Sequence, residues 1–159
     1  DSKNVRCWGE GDNGRTGLQT TDDLGDNELP SNGAPVDLQM AVEDIAMGGG
    51  FTCAVGDVGE VRCWGAGEHG QLGNGSTDDI GDDEAPSTAP TVVFPKDFSV
   101  VQVDAGNDHT CAVSTAGEVV CWGNGNSARL GYAGNQTIGD DEHPADVGVV
   151  QVFPTPEMP

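Results

Sequence analysis

The chain has 159 residues, with 27 acidic against 6 basic side chains and a formal net charge of −21. Its length allows about one domain with one modest core, and 25 glycines, about twice the usual ~7%, argue against a helix-rich fold because each helical glycine costs roughly 1 kcal/mol against alanine. A surface this negative repels phosphate backbones and anionic lipid, so neither nucleic acid nor membrane insertion is expected, and no apolar run approaches the ~20 residues that span a bilayer. No basic segment followed by an apolar stretch opens the chain, so any signal peptide is expected to have been removed or not included.

From the N-terminus, Cys7-Trp8-Gly9 leads into a glycine-spaced stretch and then an acidic loop, Asp22-Asp23-Leu24-Gly25-Asp26-Asn27-Glu28, closed by Pro30. The tripeptide returns as Cys63-Trp64-Gly65 and Cys121-Trp122-Gly123, at intervals of 56 and 58 residues. The acidic turn ending in proline returns at 81–86 and 139–144, and Thr-Cys-Ala-Val stands at 52–55 and 110–113. Three markers at one period define a repeat array. We divide it into units 5–60, 61–118 and 119–159, the last truncated, which is about two and two-thirds repeats.

Within a unit the local signals are β. Apolar runs flank a Gly/Asp turn at 56–59, and the same pattern surrounds residues 114–117, so each reads as a hairpin. Folding the first about Val58 sets Val55 opposite Val61 and Cys53 opposite Cys63; folding the second about Ala116 sets Val113 opposite Val119 and Cys111 opposite Cys121. Directly opposed residues in an antiparallel pair have Cα atoms about 4.5–5.5 Å apart, within disulfide range. Two disulfides, Cys53–Cys63 and Cys111–Cys121, are therefore predicted, and with them an oxidising, secreted or cell-surface location. The alternative is four free thiols packed as small hydrophobes. Cys7 is left unpaired or intermolecular, since its mate would stand ten residues earlier.

The stretches 65–75, 103–113 and 117–123 resemble the regulator of chromosome condensation repeat family, in glycine spacing, in the His-Thr-Cys-Ala-Val strand and in period. Ala128 departs from the pattern, replacing the glycine found at Gly14 and Gly70. The resemblance implies an all-β fold of β-propeller blades, four strands each and about seven to a ring, which takes roughly 400 residues. The ring is therefore incomplete in this chain. The paired cysteines and the Ile-Gly-Asp-Asp-Glu loop look most like secreted bacterial versions of the family. Trp8, Trp64 and Trp122 then read as large packers between neighbouring blades; the other reading is a surface that stacks ligands.

Chemistry-bearing constellations are few. Gly65-x-Gly67-x-x-Gly70 matches a dinucleotide fingerprint in form only, because no amphipathic helix follows and acidic residues surround it. The three histidines stand where other units carry non-catalytic residues: His69 matches Asn13 and Ser127, His109 matches Phe51, and His143 matches Leu29 and Ala85. No enzyme is expected. Asn74-Gly-Ser76 and Asn135-Gln-Thr137 match the glycosylation sequon and also read as ordinary turns. The candidate functional residues are the acidic ones: Asp22, Asp23, Asp26 and Glu28; Asp78, Asp79, Asp82, Asp83 and Glu84; and Asp140, Asp141 and Glu142, the third loop having lost its leading pair. Calcium suits an oxygen-rich, flexible loop, a solvated turn is the plainer reading, and a basic protein partner is the third.

These features point to a non-enzymatic extracellular interaction or scaffold module that binds protein. The alternative is a self-assembling structural subunit of a filament or layer, joined by exposed strand edges and by Cys7. A third reading, an enzyme inhibitor or an exchange-factor-like propeller, follows from the resemblance alone.

Overall fold

The computed structural model describes residues 4–153. Two three-stranded antiparallel sheets carry the fold, β1 (Val42–Met47), β2 (Phe51–Gly56) and β3 (Val61–Gly65), then β4 (Val100–Ala105), β5 (His109–Ser114) and β6 (Val119–Gly123). Among the described residues, helix is confined to single turns of three or four residues, the longest being Pro144–Val147. β2 and β3 are rich in β-branched, aromatic and small residues and are almost wholly buried, because both their faces are covered. β1, at one edge of its sheet, alternates between exposed and partly buried positions.

Both hairpins fold in the register expected from the sequence, with Val55 opposite Val61 and Cys53 opposite Cys63, then Val113 opposite Val119 and Cys111 opposite Cys121. The turn of the first is closed by the Gly56 amide donating to the Glu60 carbonyl at 2.8 Å, with Gly59 at φ +85°. That left-handed angle is where glycine is tolerated without Cβ strain. The boundaries at 60/61 and 118/119 fall in these two turns. Each sheet thus takes two strands from one sequence unit and its third from the next.

Among the described residues, a regular fourth strand is not formed in either sheet. Its place is held by an extended outer segment tied by one backbone hydrogen bond, from the Val92 amide to the Val61 carbonyl (3.0 Å) and from Val150 to Val119 (2.7 Å). Pro90 and Pro95 bracket Val92, and proline cannot donate to a ladder. Arg62 reinforces the segment through the Ala89 carbonyl at 2.6 Å.

The core lies between the sheets, where β4 lies against β1 and β2. Trp64 and Trp122 have no exposed surface. Each indole sits on a glycine of the preceding unit: a Cβ at Gly73 would come within 2.6 Å of Trp122 Nε1, and one at Gly17 within 2.9 Å of Trp64 Nε1. The Trp122 indole N–H and the Thr110 hydroxyl both donate to the Gln71 carbonyl, at 2.9 and 3.1 Å. Trp8 differs from the expectation of blade packing, for it is 64% exposed. β2 and β5 flank Trp64 and Trp122 in register, and no strand among the described residues stands beside Trp8 in that way.

Candidate functional site

The acidic turns are held at the same place on each unit. Leu24, Ile80 and Ile138 bridge Gly9, Gly65 and Gly123, which fixes each turn beside the end of its Cys-Trp-Gly strand. Several of the carboxylates are used by the backbone itself. Asp23 Oδ1 accepts from the Gly11 amide and Asp79 Oδ1 from the Gly67 amide, both at 2.9 Å. Glu28 and Glu84 accept from Gly25 and Gly81, at 2.9 and 3.3 Å. Asp78 accepts from the Ser76 hydroxyl, and Asp79 also takes the Asn13 amide of the preceding unit at 2.7 Å. Asp23, Asp78 and Asp79 thus act as loop braces.

The turns also differ from one another. Asp82, Asp83 and Glu84 each bring one oxygen within 4.8 Å of the others, as do Asp140, Asp141 and Glu142. The first turn forms no such group, because Asn27 stands where Asp83 and Asp141 stand. Asp22, Asp23, Asp26 and Glu28 are therefore not gathered, and Asp78 and Asp79 stay outside the group formed by their neighbours. Partial burial raises the carboxyl pKa of Glu84 and Glu142 above the ordinary range, and hydrogen bonds with Asp83 and Asp141 push the same way.

Both predicted disulfides are present, each between Cα atoms 4.0 Å apart. Cys7 is a free, half-buried thiol, and burial pushes its pKa up to about 11. His109 and His143 take structural positions. His109 lies over Gly106 as Phe51 lies over Gly48, where a Cβ would collide with the ring, and that explains why one flat ring replaces the other. Burial first, then Arg129, lowers its pKa. His143 opens the short helical turn, its amide donating to Asp146 Oδ2 at 2.9 Å. Among the described residues, only the two acidic groups bring three or more His, Cys, Asp or Glu ligand atoms together.

Sequence reasoning did not find one surface feature, a groove of about 470 Å³ beside Cys7 and Trp8 that reaches across β1 to the start of β2. Its signal was available in the repeat: Ile45 and Met47 correspond to Val103 and Ala105 at the 58-residue interval.

The fold is a segment of a β-propeller, with two three-stranded sheets packed on a shared core and Cys-Trp-Gly in the last strand of each. The description "Regulator of chromosome condensation (RCC1) repeat" matches residues 59–113, and a second description of that repeat matches 42–71 and 100–128. The chain belongs to the RCC1 repeat family. It is 33% identical over 138 residues to the human E3 ubiquitin-protein ligase HERC2, covering 86% of this chain and 2% of that protein. It is 34% identical over 128 residues to the ultraviolet-B receptor UVR8 of Arabidopsis thaliana, covering 80% and 27%. The solved structure of human WBSCR16 superposes with a TM-score of 0.67 at 24% identity, covering 89% of this chain and 34% of that one. Yeast RCC1 (Prp20), solved bound to Kap60, gives 0.62 at 19%, covering 86% and 32%. The chain thus spans about a third or less of each of these proteins.

Proposed function

We propose that the chain is a non-enzymatic protein-interaction module of an oxidising, extracytoplasmic compartment, presenting its acidic turns in series along one edge. The observation that carries this reading is the repeated placement of the turns beside Gly9, Gly65 and Gly123, with carboxylates gathered at 82–84 and 140–142. None of the ion pairs among the described residues engages those six side chains. Negative potential left unneutralised selects basic surfaces and speeds their encounter. Yeast RCC1 binds Kap60, and Prp20p of Saccharomyces cerevisiae has binding properties to Gsp1p and histones, which favours protein as the partner class. The ligase activity in the name of HERC2 is not carried over, since the chain matches 2% of that protein. The two disulfides favour the compartment.

A photo-crosslinker placed at the exposed Asp83 and Asp141 tests the reading. The expected result is one crosslinked partner at both positions, lost in raised salt and in the variant Asp82→Asn/Glu84→Gln/Asp140→Asn/Glu142→Gln. A crosslink pattern indifferent to neutralisation would remove the turns from the interface.

The gathering of the carboxylates also supports a second reading, calcium at those two turns. Light scattering with calcium and then EDTA separates the outcomes. A mass near 16.3 kDa in both removes calcium-held assembly. A large particle that EDTA dissolves supports the self-assembling subunit instead.

A further inference from the structure

Asn-Gly occurs four times in the chain, at Asn13-Gly14, Asn32-Gly33, Asn74-Gly75 and Asn124-Gly125. The glycine of such a pair has no side chain to shield its nitrogen, so the asparagine side chain can close on it when both are free to move. At three of the pairs they are held. Asn13 Nδ2 donates to Asp79 Oδ2 at 2.7 Å, and Gly14 is buried against the backbone of Gly81 and Asp82. Asn74 Oδ1 accepts from the Ser76 amide at 3.2 Å, while Gly75 donates to the Gly139 carbonyl of the next unit at 3.2 Å and lies under the His143 ring. Asn124 is 8% exposed, and its Oδ1 accepts from the Asn126 amide at 3.0 Å. Asn32 is exposed, and its side chain forms no hydrogen bond among the described residues. The Gly33 amide donates only within a single helical turn, to the Pro30 carbonyl at 3.2 Å. The same turn in the second unit, Pro86–Thr88, runs on as Thr88-Ala89, and the Thr88 hydroxyl is tied to the Ala85 carbonyl at 2.8 Å.

We propose that Asn32-Gly33 is a modification site at which the chain rearranges without an enzyme, and that its isoaspartyl product releases the outer segment of the first unit. The Gly33 nitrogen gives up its proton to hydroxide and attacks Asn32 Cγ. The Cγ–Nδ2 bond breaks and the nitrogen leaves as ammonia, taking a proton from water, which closes a succinimide ring. Water then adds to either ring carbonyl. Breaking the bond between Gly33 N and Cγ leaves an aspartate at position 32. Breaking the bond between Gly33 N and the main-chain carbonyl carbon leaves an isoaspartate, with the chain running through Cβ and Cγ. Either product adds a carboxylate, and the isoaspartate also adds a carbon to the main chain directly ahead of Gly33. Gly33 has no slack to absorb it: a Cβ there would collide with Leu24, which bridges Gly9, and its carbonyl accepts from the Arg6 guanidinium. Further along the same segment, the Val36 amide ties it to the Val5 carbonyl at 2.9 Å. The reaction needs no partner and is independent of what the acidic turns bind.

The test holds the full, folded chain at mildly alkaline pH and maps it at intervals by mass spectrometry, with fragmentation that separates isoaspartate from aspartate. The expected result is conversion at Asn32 at least ~10-fold faster than at Asn13, Asn74 or Asn124, because the held pairs react only through local opening. In urea the four pairs should react at similar rates. Amide exchange at Val36 should be faster in the isoaspartyl chain than in the parent. The variant Asn32→Thr, which takes the second unit's residue, should stay unmodified and protect Val36 as the parent does. Similar rates at all four pairs in the folded chain, first conversion at another pair, an advantage of Asn32 that persists in urea, or isoaspartate at position 32 with unchanged Val36 exchange would each overturn the proposal.

Discussion

Replacing Gly70 by alanine tests the packing of one repeat on the next most directly. A Cβ at this position would stand 2.6 Å from the Asp140 amide nitrogen, 2.8 Å from the Gly139 carbonyl carbon and 2.9 Å from the Ile138 carbonyl oxygen. All three are backbone atoms of the third unit's acidic turn, so no side chain can swing aside. Overpacking of this kind costs about 1–3 kcal/mol. The residue also sits at φ +67°, where an L-residue adds about 1–2 kcal/mol, offset by ~0.4–1 kcal/mol from the stiffer unfolded chain. The net expectation is a loss of about 2–3 kcal/mol. With a urea slope of ~2 kcal/mol per molar, the unfolding midpoint falls by roughly 1–1.5 M at unchanged slope. The control is the reverse swap at the matching place. Ala128 holds φ +55° and its amide donates to Asn135 Oδ1 at 2.9 Å, so Ala128→Gly relieves strain and leaves stability equal or higher by up to ~1 kcal/mol. The two swaps are the reverse of each other and should therefore move stability in opposite directions, because alanine is strained at both places. A Gly70→Ala midpoint within ~0.3 M of the parent, or a loss in both variants, would refute the assignment of this contact to the inter-unit seam.

The double variant Cys53→Ser/Cys63→Ser should lose about 3 kcal/mol of stability, the chain-entropy value for a loop with cysteines ten residues apart, and addition of reductant, which opens Cys111–Cys121 as well, should lower the parent's urea midpoint below that of the variant without reductant. If reductant leaves the parent unchanged, the hairpin is held by its packing alone. Glu84 and Glu142 supply a pH dependence. Their folded-state pKa lies above the unfolded value, so the fold binds the proton more tightly; this contribution is complete below the unfolded pKa and is lost as pH rises through the folded one. Glu84→Gln, which keeps an oxygen for the Gly81 amide, should stabilise at pH 7 and make no difference below pH ~4. Urea midpoints measured across that interval decide it, and a destabilised Gln variant at pH 7 would show that the carboxylate is neutralised by something other than a proton.

Much of the fold was legible because its signals are local. Gly59 and Gly117 mark the tight turns, and once a turn is placed the two-residue period sets every pair beyond it, the cysteines included. The outer segment was not legible as irregular from the period of the repeat, although Pro90 and Pro95 carried the warning. Gln71 shows a deeper limit. Its contribution to the seam is a main-chain carbonyl that accepts from both Trp122 and Thr110, and a carbonyl has no residue identity to read. The acidic turns divided for a similar reason: Asp79 and Glu84 look alike in the sequence, yet Asp79 reaches a glycine amide twelve residues away while Glu84 joins its neighbours. Trp8 is exposed because burial of an indole at this place in the repeat depends on a flanking strand from another unit, and none among the described residues stands beside it.

The two disulfides both lie within hairpins, and each spans the point where one sequence unit passes into the next. Under tension, load entering at Cys53 crosses directly to Cys63 and bypasses the turn between them. Roughly 30 Å of extensible chain is thereby withheld at each hairpin, at about 3.3–3.6 Å per residue for the nine residues enclosed. The long connections, residues 66–99 and 124 onward, carry no such shunt. A pulled molecule should yield along those connections first, shedding acidic turns and outer segments while the stapled hairpins stay intact. The same division governs cleavage: a nick in the turn at 57–60 leaves both halves joined, and a nick between 66 and 99 leaves only non-covalent packing, with β4 against β1 and β2, to hold the sheets together.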